Sequence, residues 1–162
     1  KSTLINSLCN NSTICKVSAT PGRTRLLNFF DVNKELRLVD APGYGYAYLD
    51  KNNDLLFAKM MREYLFKRKN LKGCCLLLDS RLKPSEDDAV MFNMIIDANL
   101  PFIIIATKCD KLNQSQKSKV INNIVDRFQL KNPGNIYLSG LKNQKSFDNI
   151  IQAIYDICEV EK

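Results

Sequence analysis

The chain has 162 residues, the size of one domain, and its 45% apolar and 9% aromatic content can fill a core, which excludes a disordered or coiled-coil protein. The longest apolar run, at 102–106, falls far short of the ~20 residues of a membrane span. Lys and Arg number 24 against 17 Asp and Glu, and residues 1–80 hold +6 of the net +7, so the partners expected are anions met by the first half.

In chain order, Lys1-Ser2-Thr3 leads into an amphipathic helix start at Leu4, Ile5 and Leu8. Residues 26–32 and 36–39 are apolar, β-prone runs separated by Asn33-Lys34-Glu35, an antiparallel hairpin pattern. Asp54 opens a predicted helix whose Leu56, Met60 and Leu65 share a face, and Lys67-Arg68-Lys69 suits its negative end. The runs at 74–78, 102–106 and 135–138 are apolar without helical period and read as buried parallel strands. Between them, Ser85 with Asp88 forms a capping pair before Val90, Phe92, Ile95 and Ile96. Ser115 precedes the stripe Val120, Ile121, Ile124, Val125 and Phe128, and Ser146 precedes Phe147, Ile150, Ile151 and Ile154. These stripes read as core packing, and the alternation of strand and helix predicts an α/β fold.

The six cysteines contain no CxxC pair and histidine is absent. That excludes Cys/His zinc sites and Cys/His or Ser/His catalytic pairs, and predicts buried free thiols in a reducing cytoplasm.

Three short segments carry the chemistry: Lys1-Ser2, then Asp40-Ala41-Pro42-Gly43 after a strand, then Thr107-Lys108-Cys109-Asp110 after another. Alone, DxPG reads as a turn and TKxD as a solvated strand end. Together, in this order and at the strand ends where an open α/β sheet binds its ligand, they have the spacing of a GTPase. Lys1 would set an ammonium on the β and γ phosphates, and Ser2 would offer a hydroxyl to Mg²⁺. Amides around Thr3, at the helix start, would cradle the phosphates. Asp40 would serve the Mg²⁺ from its second shell or directly, and the Gly43 amide could approach the γ phosphate. The Asp110 carboxylate can accept from both N1 and N2 of guanine, a donor pair that adenine lacks, and Lys108 can lay its aliphatic stem over the base. Leu138-Ser139-Gly140-Leu141-Lys142 fits a loop touching the guanine carbonyl.

The chain resembles the EngB family of ribosome-assembly GTPases, within the translation-factor-related class. The resemblance rests on SATPGRTRLLNFFDV at 18–32, LVDAPGYGYA at 38–47, LLDSRLKPSEDD at 77–88 and TKCDK at 107–111, and spans essentially the whole chain. It implies a Ras-like P-loop fold: a three-layer sandwich, mostly parallel, with an antiparallel edge hairpin and a single G domain over 1–162. It makes Gly22, Arg23, Thr24, Arg25 and Leu26 the first switch, with Thr24 as second Mg²⁺ ligand beside Ser2 and Thr20 as competitor. Segments 20–26 and 43–47 would change with nucleotide state. Gly140 departs from the small residue with a side chain that the family places there. The family's phosphate loop is GxxxxGKS and this sequence starts at its Lys, so an N-terminally truncated copy without the first strand, binding GTP poorly, is the expectation.

Tyr44 stands where Ras-like enzymes keep a water-orienting glutamine, which predicts intrinsic hydrolysis near or below ~10⁻⁴ per second. A plain surface-aromatic role for Tyr44 and Tyr46 fits the same pattern. The resemblance implies a slow GTP/GDP switch acting as a monomer, without a membrane, in assembly of the large ribosomal subunit, and linked to cell division and septation. Arg23, Arg25, Arg37, Lys67, Arg68, Lys69 and Lys72 could meet rRNA phosphates or form a solvated basic surface. A nucleotide-deficient RNA-binding remnant is the alternative, and an ATP-dependent P-loop kinase is disfavoured by Asp110.

Overall fold

The computed structural model describes residues 1–8, 26–44, 51–140 and 144–159. They fall into two compact units, Lys1–Lys69 and Asn70–Lys162.

In the first unit, α1 (Ser2–Leu8) begins at the Lys1 carbonyl, which accepts from the Ile5 amide at 3.1 Å. Strands β1 (Asn28–Val32) and β2 (Leu36–Asp40) pair antiparallel with Val32 opposite Leu36, which is the expected hairpin. Its turn closes through Glu35 N–H to Val32 C=O at 3.0 Å, with Asn33 and Lys34 at φ 53° and 63°. Asparagine tolerates that left-handed region, whereas lysine gains nothing there to offset the steric cost.

Helix α2 (Lys51–Lys67) starts three residues before the expected Asp54. Its buried face is Met61 and Leu65, an i, i+4 pair, while Leu56 is exposed. The expected stripe was therefore displaced by one residue at Met60. Tyr64 meets Phe29 edge-on, with ring centroids 6.4 Å apart, and so ties α2 to β1.

The second unit is built on a three-stranded parallel sheet, β3 (Cys74–Asp79), β4 (Phe102–Thr107) and β5 (Ile136–Leu138), in the order β3-β4-β5. Ile103, Ile104, Ile105 and Ala106 of β4 are all buried, so both faces of the central strand are covered. Helix α3 (Glu86–Asp97) contacts β3 and α4 (Gln114–Phe128), and α5 (Gln144–Cys158) contacts β4 and β5. Phe92 of α3 stacks on Phe128 of α4 at 4.5 Å and stands perpendicular to Phe102 of β4 at 5.1 Å.

The expected Ser85–Asp88 box is present with both bonds, at 3.2 Å and 2.7 Å. The face of α3 differs from expectation: Met91, Phe92 and Ile95 are buried, while Val90 and Ile96 are exposed. The N-cap of α4 is Asn113, two residues before the Ser115 that precedes the expected stripe. Its side chain accepts from Gln116 N and Gln116 Oε1 accepts from Asn113 N, each at 2.9 Å. Ser146 lies inside α5, where its hydroxyl donates to the Leu138 carbonyl and fastens the helix to the end of β5.

Of the four cysteines among the described residues only Cys109 is buried; Cys74 and Cys158 are half-buried and Cys75 is exposed, so the expected burial of free thiols holds for one. No helix among the described residues is long and apolar enough to cross a membrane.

Candidate functional site

The residues singled out in the sequence form two groups, one in each unit. The first lies where β2 ends and α1 begins. Asp40 is the last residue of β2 and is buried, and its Oδ1 lies 2.9 Å from the Lys1 ammonium. Lys1 Nζ also donates to the Ala41 carbonyl. Residues 40 apart are thus drawn to one point: the turn after β2 is folded onto the residue that starts α1.

Asp40 Oδ1 is buried, and the Lys1 ammonium at 2.9 Å is the charge that offsets its desolvation. A buried carboxylate at a strand end also suits a hydrated divalent cation, which it can reach through a water. Among the described residues no three acidic, Cys or His side chains cluster as a protein-only metal cage. Ser2 and Asp40 offer oxygen donors, the ligand type that Mg²⁺ takes with waters completing its shell.

Pro42 is buried and Gly43 exposed, and a Cβ built on Gly43 would meet nothing within 4 Å. Packing among the described residues places no demand for glycine there. Gly22, Arg23, Thr24 and Arg25 lie outside the described residues, as do Thr20, Tyr46, Leu141 and Lys142. Leu26 is exposed just before β1, and Ser2 and Thr3 occupy the first turn of α1.

The second group sits at the carboxyl ends of the parallel strands. Thr107 closes β4 opposite Asp79 of β3, and its hydroxyl donates to the Leu78 carbonyl at 2.9 Å. Lys108 then takes a left-handed conformation (φ 64°, ψ 26°), turning the chain sharply into the 3-10 turn Cys109–Lys111. Such a conformation in a residue that is not glycine costs free energy and is found where surrounding bonds enforce it. Here Cys109 N–H donates to Ser139 C=O at 2.9 Å, Ser139 N–H to Ala106 C=O at 2.8 Å, and the buried Cys109 thiol to Ala106 C=O at 3.1 Å. The loop after β5 is thereby laced to the loop after β4.

At Gly140 a Cβ would fall 2.8 Å from Asp110 N and 3.1 Å from Asp110 Cβ. Gly140, where the family places a small side chain, backs directly onto Asp110.

Two residues that the sequence reading assigned no role complete this group. Asp79 accepts from Arg81 Nε at 2.9 Å, Arg81 Nη2 at 2.7 Å and the Arg81 amide at 3.1 Å, and from Lys108 Nζ at 2.6 Å. The Arg81 guanidinium holds this carboxyl well below the usual range against an opposing effect of burial, with Lys108 adding to the depression. The only sequence signal was their place in LDSR at the end of a strand. The Lys111 ammonium lies 3.9 Å from Asp110.

The family model described as "50S ribosome-binding GTPase" matches residues 1–108. A probable GTP-binding protein EngB from Mycoplasma mycoides subsp. mycoides SC is 54% identical over 133 residues, which is 80% of this chain and 68% of that protein. One from Caldanaerobacter subterraneus subsp. tengcongensis is 39% identical over 159 residues, 98% of this chain and 81% of the relative. Among solved structures, a probable GTP-binding protein engB superimposes with a TM-score of 0.78 at 19% identity, over 98% of this chain and 92% of that one. Era, in complex with MgGDPNP and nucleotides 1506–1542 of 16S ribosomal RNA, gives a TM-score of 0.72 at 19% identity, over 96% of this chain and 52% of Era. At that identity the structural likeness shows the fold alone, which is that of the P-loop GTPases.

Proposed function

Since the chain belongs to the EngB family of GTPases, we propose that it binds GTP and GDP, hydrolyses GTP slowly, and acts as one G domain switching a step of large ribosomal subunit assembly in the cytoplasm. The observation that carries the nucleotide reading is the lacing of the 107–110 and 138–140 segments at the strand ends, with Gly140 against Asp110. Two loops about 30 residues apart in sequence present one carboxylate on a backbone tied by their mutual hydrogen bonds. A guanine needs that: a fixed acceptor for N1–H and the N2 amino group, with the neighbouring backbone beside its carbonyl.

On this reading Thr107, Lys108, Cys109, Asp110, Leu138, Ser139 and Gly140 contact the base end. Lys1, Ser2, Thr3, Asp40, Ala41, Pro42 and Gly43 serve the phosphates, with residues 22–26 as the first switch. At Gly43 no described residue lies within 4 Å of a built Cβ, and a glycine there lets a ligand oxygen approach its amide closely. Mg²⁺ would be held by Ser2 and Thr24, with Asp40 accepting from its water shell, and would neutralise charge on the phosphates. Lys1, already paired with Asp40, would turn its ammonium to the phosphate oxygens.

Titration of a fluorescent GDP against the wild type and Asp110→Ala tests this. The wild type is expected to bind, and the variant to lose about 100-fold in affinity, as removal of a carboxylate accepting two hydrogen bonds entails. Equal affinities, or no binding by the wild type, would favour an RNA-binding remnant. Family membership alone points to the large subunit, and co-sedimentation with 50S particles in GTP and in GDP measures it.

A further inference from the structure

We infer that Asp79, clamped by Arg81, is a positioning residue that holds the Lys108 side chain extended across the strand ends, so that its stem is ordered before a purine arrives. This rests on the base-end reading of Lys108 above and extends it to a residue that reading does not include.

Asp79 and Thr107 are partners across the β3–β4 ladder, which places the carboxylate one residue from Lys108 and on the neighbouring strand. The Lys108 side chain is about half exposed, at 53%, and an exposed lysine samples many rotamers unless its end is held. Here Nζ lies 2.6 Å from Asp79 Oδ2. The anchor is itself immobile, because Arg81 grips both Asp79 oxygens and its amide adds a third bond. Both ends of the lysine are therefore fixed: the backbone by its left-handed turn, the ammonium by a carboxylate that cannot swing away. With its stem set in advance, Lys108 loses little freedom when a flat ring lies on it.

The test is titration of fluorescent GDP, with IDP as competitor, against wild type, Asp79→Asn, Asp79→Glu, Lys108→Ala and the Asp79→Asn/Lys108→Ala double variant. Asp79→Asn, the same shape without charge, is expected to weaken GDP about tenfold, the order of the freedom restored to one long side chain. Asp79→Glu keeps a carboxylate and should recover most of that loss, and it serves as the probe should Asp79→Asn fold poorly. The double variant should bind no more weakly than Lys108→Ala, because Asp79 acts through that lysine alone. The GDP-to-IDP preference should stay unchanged in Asp79→Asn, since the carboxylate reading the N2 amino group is Asp110.

A wild type that binds GDP beside an Asp79→Asn variant of equal affinity overturns this inference and leaves the base-end reading standing. So does a double variant whose loss is the sum of the two single losses. Loss of the GDP-to-IDP preference overturns it too, by showing that Asp79 shapes the Asp110 loop. A wild type that binds no GDP overturns the base-end reading and this inference with it.

Discussion

At the scale of single residues, the base end is governed by contacts too close to survive substitution. Gly140→Ala would put a methyl group 2.8 Å from Asp110 N. It is expected to cost about 1–3 kcal/mol of stability, the usual penalty for overpacking, and to weaken GDP binding through displacement of Asp110; urea unfolding and the GDP titration check the two effects. Asp79 carries a pH signature. Its carboxyl is depressed chiefly by Arg81, so its bonds stabilise the fold fully above the ordinary carboxylate pKa of ~3.9 and are lost as pH falls below it toward the folded value. Thermal unfolding should find wild type about 1 kcal/mol more stable than Asp79→Asn at pH 7, a modest figure because Arg81 and Lys108 face solvent, and should find the gap closing only below about pH 4. Lys108 and Asp110 were legible because their residue types and spacing encode purine chemistry. Asp79 and Arg81 were not, because their role arises from the ladder register that sets Asp79 beside Thr107, and one sequence does not print that pairing.

At the scale of elements, strands and hairpin were legible and helix faces less so. Unbroken apolar runs at 74–78 and 102–106 mark strands; β4 is buried on both faces as expected, whereas in β3 Cys75 is exposed and Leu77 half-buried. In α3, by contrast, Val90, Met91, Phe92, Met94, Ile95 and Ile96 leave apolar residues all around the helix, and packing of Phe92 against Phe102 and Phe128 decides which of them go inside. The cap of α4 is Asn113, whose reciprocal bond with Gln116, three residues on, starts the helix ahead of Ser115. Asn113→Ala is therefore expected to lower stability by about 1 kcal/mol, and Ser115→Ala by only a few tenths, in paired urea titrations. Lys34→Gly should raise the stability of the hairpin by up to ~1 kcal/mol, by relieving the positive φ at the second turn position, and amide exchange across β1 and β2 reports it.

At the scale of the whole molecule, nucleotide binding should appear as a rise in unfolding free energy, because a ligand that binds only the folded state stabilises it by mass action. GDP at a hundredfold excess over its dissociation constant is expected to add about 2.7 kcal/mol, read by thermal shift. The positive charge concentrated in residues 1–80 makes any association with 50S particles salt-sensitive, so co-sedimentation should fall steeply as salt rises from about 50 to 200 mM. The contact between Gly140 and Asp110 also couples fit to selectivity. A methyl group at the first position would press on the backbone of the second, so Gly140→Ala should lower the preference for GDP over IDP together with stability.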